Sequence, residues 1–164
     1  MAMKRFPSLG LPFLLLGLVF TLGTPSEGAE LTAFLSGARP GDNWGGGGGA
    51  ALAITLFDLG GVEIEGAKQG AEIAEASLLT LSGRLFLSPP TGRLVPYGGV
   101  AAAVYRETYG SGDDWGAATG VFVGLKLKLG LAVRLRAEYQ WMKLQDEAPL
   151  ALDGRYLAGV GVSF

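Results

Sequence analysis

From Ala132 to Lys143 the chain alternates. Val133, Leu135, Ala137, Tyr139 and Trp141 are separated by Arg134, Arg136, Glu138 and Gln140. A helix would scatter these charges around its circumference, whereas a strand puts the polar groups on one face and the apolar groups on the other. The same period of two runs through 116–128, where Val121, Val123, Leu125 and Leu127 oppose Gly120, Gly124, Lys126 and Lys128. In 76–87, Leu79, Leu81, Leu85 and Leu87 oppose Thr80, Ser82 and Arg84. In 61–70, Val62 and Ile64 oppose Glu63 and Glu65. At the end of the chain, Tyr156, Ala158, Val160, Val162 and Phe164 oppose Leu157, Gly159, Gly161 and Ser163. With weaker segments at 30–37, 47–57 and 94–106, the pattern predicts eight strands, the last over 154–164. The Ala- and Gly-rich 94–106 segment does not fix its own register. Ala67 to Leu79 has a helix-forming composition, so a short helix there is the alternative.

The connections are long near 38–46, 107–115 and 144–153 and medium near 71–75. They are short near 58–60, 88–93 and 129–131. Long loops at one end and short turns at the other are the mark of a membrane barrel. A sheet in hydrocarbon must close, because unpaired backbone groups cannot be solvated there. A tilted strand needs about 9–11 residues to cross. The fold class expected is therefore all-β: an eight-stranded antiparallel up-and-down transmembrane β-barrel. With the first strand running outward, Trp44, Tyr105, Tyr109, Trp115, Tyr139, Trp141 and Tyr156 lie toward the long loops. Phe57, Phe86, Tyr97 and Phe164 lie toward the short turns, giving two aromatic girdles. Phe34 and Phe122 fit neither girdle.

Composition adds boundaries and exclusions. Lys4 and Arg5 precede an apolar run of about 14 residues, too short for a spanning helix. Small and polar residues follow, so 1–28 is expected to be a cleaved signal peptide and 29–164 the barrel domain. Cleavage there would leave 11 Lys and Arg against 14 Asp and Glu, a formal charge of −3. That balance offers nucleic acid no basic face. The chain has no cysteine and no histidine, which removes disulfides, a Ser-His-Asp triad and histidine-ligated zinc. No enzyme activity, cofactor or metal is expected. The 28 glycines are dispersed through strand-like segments, where they leave room for large neighbours.

In such a barrel the inward face carries Glu63, Glu65, Arg84, Lys126, Lys128, Arg134, Arg136 and Glu138. An eight-stranded barrel is just wide enough for side chains to fill it, so these charges are expected to neutralise one another as a plug. Glu63 and Glu65 share a face and could do acid–base work, but a salt network with Arg84, Arg134 or Arg136 is the better reading. Asp113-Asp114 and Asp146-Glu147 read as solvated loop acids rather than a cation site. Gly45 to Gly49 lacks the Lys-Ser/Thr of a phosphate loop and reads as a flexible entry into the second strand.

Three stretches resemble the small eight-stranded outer-membrane β-barrel proteins of OmpA/OmpX type. They are Val95-Pro-Tyr-Gly-Gly-Val100, Leu135-Arg-Ala-Glu-Tyr-Gln140 and Val160-Gly-Val-Ser-Phe164. The resemblance covers nearly all of 29–164 and implies a location in the outer membrane. Gly159, Val162 and Phe164 match the signal read by the outer-membrane assembly machinery, while Ala158 departs from its usual polar residue. The expected partners are outer-membrane lipid, through Trp115, Tyr139, Trp141 and Tyr156 at its interface, and that machinery during biogenesis. No nucleic acid is expected, and the protein is expected to be a monomer. The activity is left open by the fold. The leading expectation is a structural or interaction role in the cell envelope. The alternatives are a narrow porin-like channel or small-ligand carrier, and a soluble periplasmic lipocalin-like binder.

Overall fold

Each alternating segment is a strand in the computed structural model. The structure describes residues 28–38, 45–56, 59–71, 76–89, 92–109, 112–130, 132–144 and 154–164. Residues 1–27 of the expected signal peptide therefore lie outside the described residues, as do Trp44, Phe57, Asp146 and Glu147. The strands are β1 (Ala29–Ala38), β2 (Gly45–Leu56), β3 (Gly60–Ala71), β4 (Ala76–Leu87), β5 (Leu94–Tyr109), β6 (Gly112–Lys128), β7 (Val133–Leu144) and β8 (Arg155–Ser163). Each pairs antiparallel with the next, and β8 returns to β1 to close the barrel. The seam runs from Glu30 opposite Ser163 to Ala38 opposite Arg155. The backbone bonds between Ala29 and Phe164, at 2.8 and 2.9 Å, finish it.

Two expectations change, and one alternative is set aside. Ala67–Ala71 and Ala76–Leu79 are strand, not helix, because each is paired on both sides. The tertiary ladder overrides a local preference for helix. Gly45–Gly49 is not a flexible entry but the paired first half of β2, bonded to β1 and β3. The long connection near 107–115 is mostly ladder, with Glu107 opposite Asp114 and Thr108 opposite Asp113. β5 and β6 are thus 16 and 17 residues long, well beyond a bilayer crossing of about 9–11.

The two faces of the sheet are inverted relative to a water-soluble protein. Leu31, Leu35, Leu81, Val100, Val123, Val160 and Val162 point outward and are exposed. Glu63, Glu65, Arg84, Arg136 and Glu138 point inward and are buried. One end of the barrel carries the β2–β3, β4–β5 and β6–β7 turns and is called the turn end here. The other is the loop end.

Candidate functional site

The middle of the lumen holds an ion cluster contributed by four strands. Arg84 of β4 donates to Glu63 Oε1 at 2.5 Å and Glu65 Oε2 at 2.6 Å on β3, and to Glu138 Oε1 at 2.5 Å on β7. Arg136 donates to both oxygens of Glu63, at 2.7 and 2.9 Å, and to Glu138 Oε2 at 2.7 Å. Arg155 of β8 donates to Glu65 and, at 2.5 Å, to Gln140 Oε1. Tyr97 of β5 completes the set: its hydroxyl donates to Glu138 at 2.8 Å and accepts from Arg136 Nε at 2.7 Å. Three guanidiniums thus face three carboxylates, and Arg84 is only 1 % exposed. Burial of ions on this scale is tolerable only where each charge finds partners. Every one of these carboxylates is held by at least two donors, which leaves none available as a base toward a substrate.

Glycine explains how the arginines fit. A Cβ on Gly49 would stand 2.7 Å from the Phe34 ring, on Gly61 2.8 Å from Phe86, on Gly99 2.9 Å from Phe122 and on Gly124 2.6 Å from Tyr97. Each glycine lies directly opposite its aromatic residue across the ladder. The rings therefore lie down on bare backbone, as in aromatic rescue of glycine. Cations stack on their upper faces: Arg84 over Phe122 at 3.7 Å, Arg136 over Tyr97 at 5.2 Å and Arg155 over Phe34 at 5.7 Å. Glycine, ring, guanidinium and carboxylate form successive shells from wall to axis.

Toward the turn end the balance changes. Lys126 Nζ bonds Glu30 Oε1 at 2.9 Å and lies over the Phe86 and Tyr97 rings. Arg134 Nε reaches the other Glu30 oxygen at only 3.5 Å. Lys128, half-buried on the same inward face, joins none of these ion pairs. Toward the loop end the lumen holds an apolar cluster of Ala38, Leu78, Ala103, Tyr105, Ala118 and Met142, with Ser36, Gln69 and Glu107 buried beside it. Beyond it, on the outer side of the β5–β6 hairpin, Arg106 bonds Asp113, which also accepts from Thr108 at 2.9 Å. Those two hydrogen bonds hold the Asp113 carboxyl below the ordinary aspartate range.

Of the eight inward charges read from sequence, the structure brings Glu63, Glu65, Arg84, Arg136 and Glu138 into the central cluster. It sets Lys126, Lys128 and Arg134 nearer the turn end. Sequence reasoning missed Glu30, Arg155, Gln140 and Tyr97. Parity carried the signal for two of them, since Gln140 follows Arg136 and Glu138, and Arg155 precedes Leu157. Trp115, Trp141 and Tyr156 are exposed on the outer face, with Tyr139 packed between the last two at ring distances of 4.4 and 4.5 Å. Phe86, Tyr97 and Tyr105 are a correction: they are buried in the lumen, not in a girdle. Height along the strand alone suggests a girdle, while parity puts Phe86 on the face of Arg84. Phe34 and Phe122, which fit no girdle, are lumen residues as well. Gly159 faces inward against β1, and Val162 and Phe164 face outward.

Asp113 and Asp114 form no metal cluster, nor does any group of three acidic side chains among the described residues. No described helix is long and apolar enough to cross a membrane, which says nothing of a barrel. A closed sheet with an apolar outside and a paired, charged inside defines the class: an eight-stranded transmembrane β-barrel. No protein-family model matches the sequence, and no curated protein matches it. Solved structures do match. Neisserial surface protein A superposes with a TM-score of 0.68 at 17 % identity, covering 83 % of this chain and 97 % of that one. The N-terminal barrel domain of Pseudomonas aeruginosa OprF gives 0.60 at 19 %, covering 84 % and 98 %. Outer membrane protein OprG of the same organism gives 0.61 at 15 %, covering 87 % and 98 %. The chain has the fold of the small outer-membrane barrels.

Proposed function

We propose that the protein is an integral outer-membrane β-barrel with a structural or interaction role in the cell envelope, its lumen plugged by charged side chains. The observation that carries this reading is the inversion of the two faces. Leu35 is 76 % exposed on the outer wall while Arg84 is 1 % exposed inside. In water that arrangement would leave a wide apolar belt unsolvated; in lipid it is favourable. A soluble lipocalin-like binder would carry its apolar residues inside. A channel would need an open path, and here the Arg84–Arg136–Arg155 cluster and the apolar cluster above it lie in series.

The outer-membrane location also agrees with the sequence expectation of an exported chain. Trp115, Tyr139, Trp141 and Tyr156 would then lie toward the outer interface, and the turn end would face the periplasm. Gly159, Val162 and Phe164 would serve the assembly machinery. Detergent extraction followed by heat-modifiable migration on a gel tests the barrel reading, since a folded barrel runs differently from its boiled form. Conductance across a planar bilayer tests the plug. The expected trace stays near leak, and stable openings well above it would replace the plug with the channel alternative.

A further inference from the structure

Two pairs of like charges face each other directly across the β6–β7 ladder on the inner wall. Lys126 is opposite Arg136, and Lys128 is opposite Arg134. Like charges in directly opposed positions destabilise a sheet. The first pair is compensated: Arg136 by Glu63 and Glu138, Lys126 by Glu30. The second is not. Arg134 has only a 3.5 Å contact with the Glu30 oxygen that Lys126 does not use, and its side chain is 30 % exposed at the mouth. Lys128 joins no ion pair with Glu30. Its backbone N–H bonds the Arg93 carbonyl at 2.9 Å, which ties a third cationic residue of the β4–β5 turn to the same rim. Ser163, on the inward face beside Glu30 in the ladder, has a buried Oγ with no hydrogen-bond partner among the described residues. The described acids at this end are Glu30 and the Phe164 carboxyl group, whose oxygen accepts from the Ala29 N–H. Among the described residues, cations therefore remain in excess at this mouth.

We infer that the turn end of the lumen is a binding vestibule for a phosphate-type anion, held between Lys128 and Arg134. A tetrahedral oxyanion suits the place. It presents several acceptor oxygens to donors arriving from two opposed strands, and it turns a repulsive pair into two charge-assisted hydrogen bonds. The guanidinium of Arg134 supplies a fork, and the ammonium of Lys128 a point charge. The phosphate could be a free anion or the headgroup of an anionic phospholipid in the adjoining leaflet. The second source rests on the proposed membrane placement, and the first does not.

The test uses the full barrel folded in zwitterionic phosphatidylcholine, with thermal unfolding followed by heat-modifiable migration. Inorganic phosphate is titrated in one arm at constant ionic strength, with chloride as the balancing ion. Phosphatidylglycerol replaces part of the phosphatidylcholine in the other. A ligand of the folded state raises the unfolding temperature as its concentration rises. Protection in either arm that is lost in Lys128→Glu supports the site and identifies the source. That variant turns the opposed pair into a lysine-free salt bridge with Arg134, so its fold is expected to persist without anion. Lys143→Gln, on the exposed outer face near the loop end, should keep the full shift. No shift in either arm overturns the site. So does an equal shift in Lys128→Glu, which would mark a general salt effect. Failure of the barrel to show heat-modifiable migration at all would instead sink the membrane reading.

Discussion

The middle of the lumen and its turn end are both lined by cations and carboxylates, and β7 contributes to both, yet they differ in how many carboxylates meet their cations. At the centre, Arg84, Arg136 and Arg155 meet Glu63, Glu65 and Glu138, and Tyr97 and Gln140 take part in the remaining contacts. At the turn end, Lys126 and Arg134 share the Glu30 carboxylate, and Lys128 joins neither pair. The difference follows from solvent. A cation at 1 or 2 % exposure has only the protein to stabilise it, so carboxylates must stand against it, even though the Nε atoms of Arg84 and Arg155 have no hydrogen-bond partner among the described residues. A cation at the mouth can be solvated, so a missing partner costs little there. A deep charge is therefore structural, and a shallow one is available.

The contrast can be broken at its strongest point. Arg84→Met should destabilise the barrel by about 3–5 kcal/mol, because Glu63, Glu65 and Glu138 lose a shared partner while staying buried. Urea unfolding in lipid vesicles measures it, and a loss under about 1 kcal/mol would mean that water reaches the cluster. The opposite wall gives the next largest effect. Val123 is adjacent to Gly124, which faces Tyr97, but it points outward and is 51 % exposed. Val123→Arg should cost about 2–4 kcal/mol if that wall is in lipid near mid-membrane. In the same assay a near-zero cost would reverse the assignment of faces.

The turn end should respond weakly. Lys128→Gln removes one member of an opposed like-charge pair, so stability should change by no more than about 0.5 kcal/mol, toward gain. A loss as large as that of Arg84→Met would erase the distinction between the two zones. The smallest effect is expected on the outer hairpin. Asp113 lies on the exposed outer face, and its carboxyl lies below the ordinary 3.8 because Arg106 and Thr108 donate to it. Its depressed value means that this contribution is present above the ordinary aspartate pKa and is lost as pH falls through the lowered one. Carboxyl-carbon NMR of Asp113 should give a midpoint below 3.8, returning upward in Arg106→Gln. An unchanged midpoint in the variant would remove the pairing from the hairpin's description.

Much of this was legible along the chain, and the reasons are specific. β7 announced its faces because large apolar and charged residues alternate without a break, and β8 because from Ala158 onward apolar residues alternate with Gly and Ser. The closure of β8 onto β1 followed from the need to pair every backbone group in hydrocarbon. The lumen aromatics were harder. Phe86 and Tyr97 lie near strand ends, where a girdle is expected, and nothing local says that a ring can lie flat inside. The condition is a glycine directly opposite, and that depends on register between two strands. Gly61 and Gly124 become meaningful only once Phe86 and Tyr97 are known to face them. Glu30 was a lone acid at the start of the first strand, and its partner Lys126 is 96 residues away. The Gly45–Gly49 run carries no side chains to pattern, so its place in the ladder could only come from the strands on either side.

The seam between β1 and β8 has a kinetic consequence. Arg155 meets Glu65 across 90 residues of chain, Arg136 meets Glu63 across 73, and Lys126 meets Glu30 across 96. Pairings of such high sequence separation form late, because the loop entropy is spent before any contact rewards it. A sheet of seven strands would leave Glu65 without Arg155 and expose an open edge. Partly formed barrels are thus raised in free energy by their own interior charges. Closure of the seam and completion of the ion cluster become one event, which makes the ion cluster a device for cooperative folding as well as a plug.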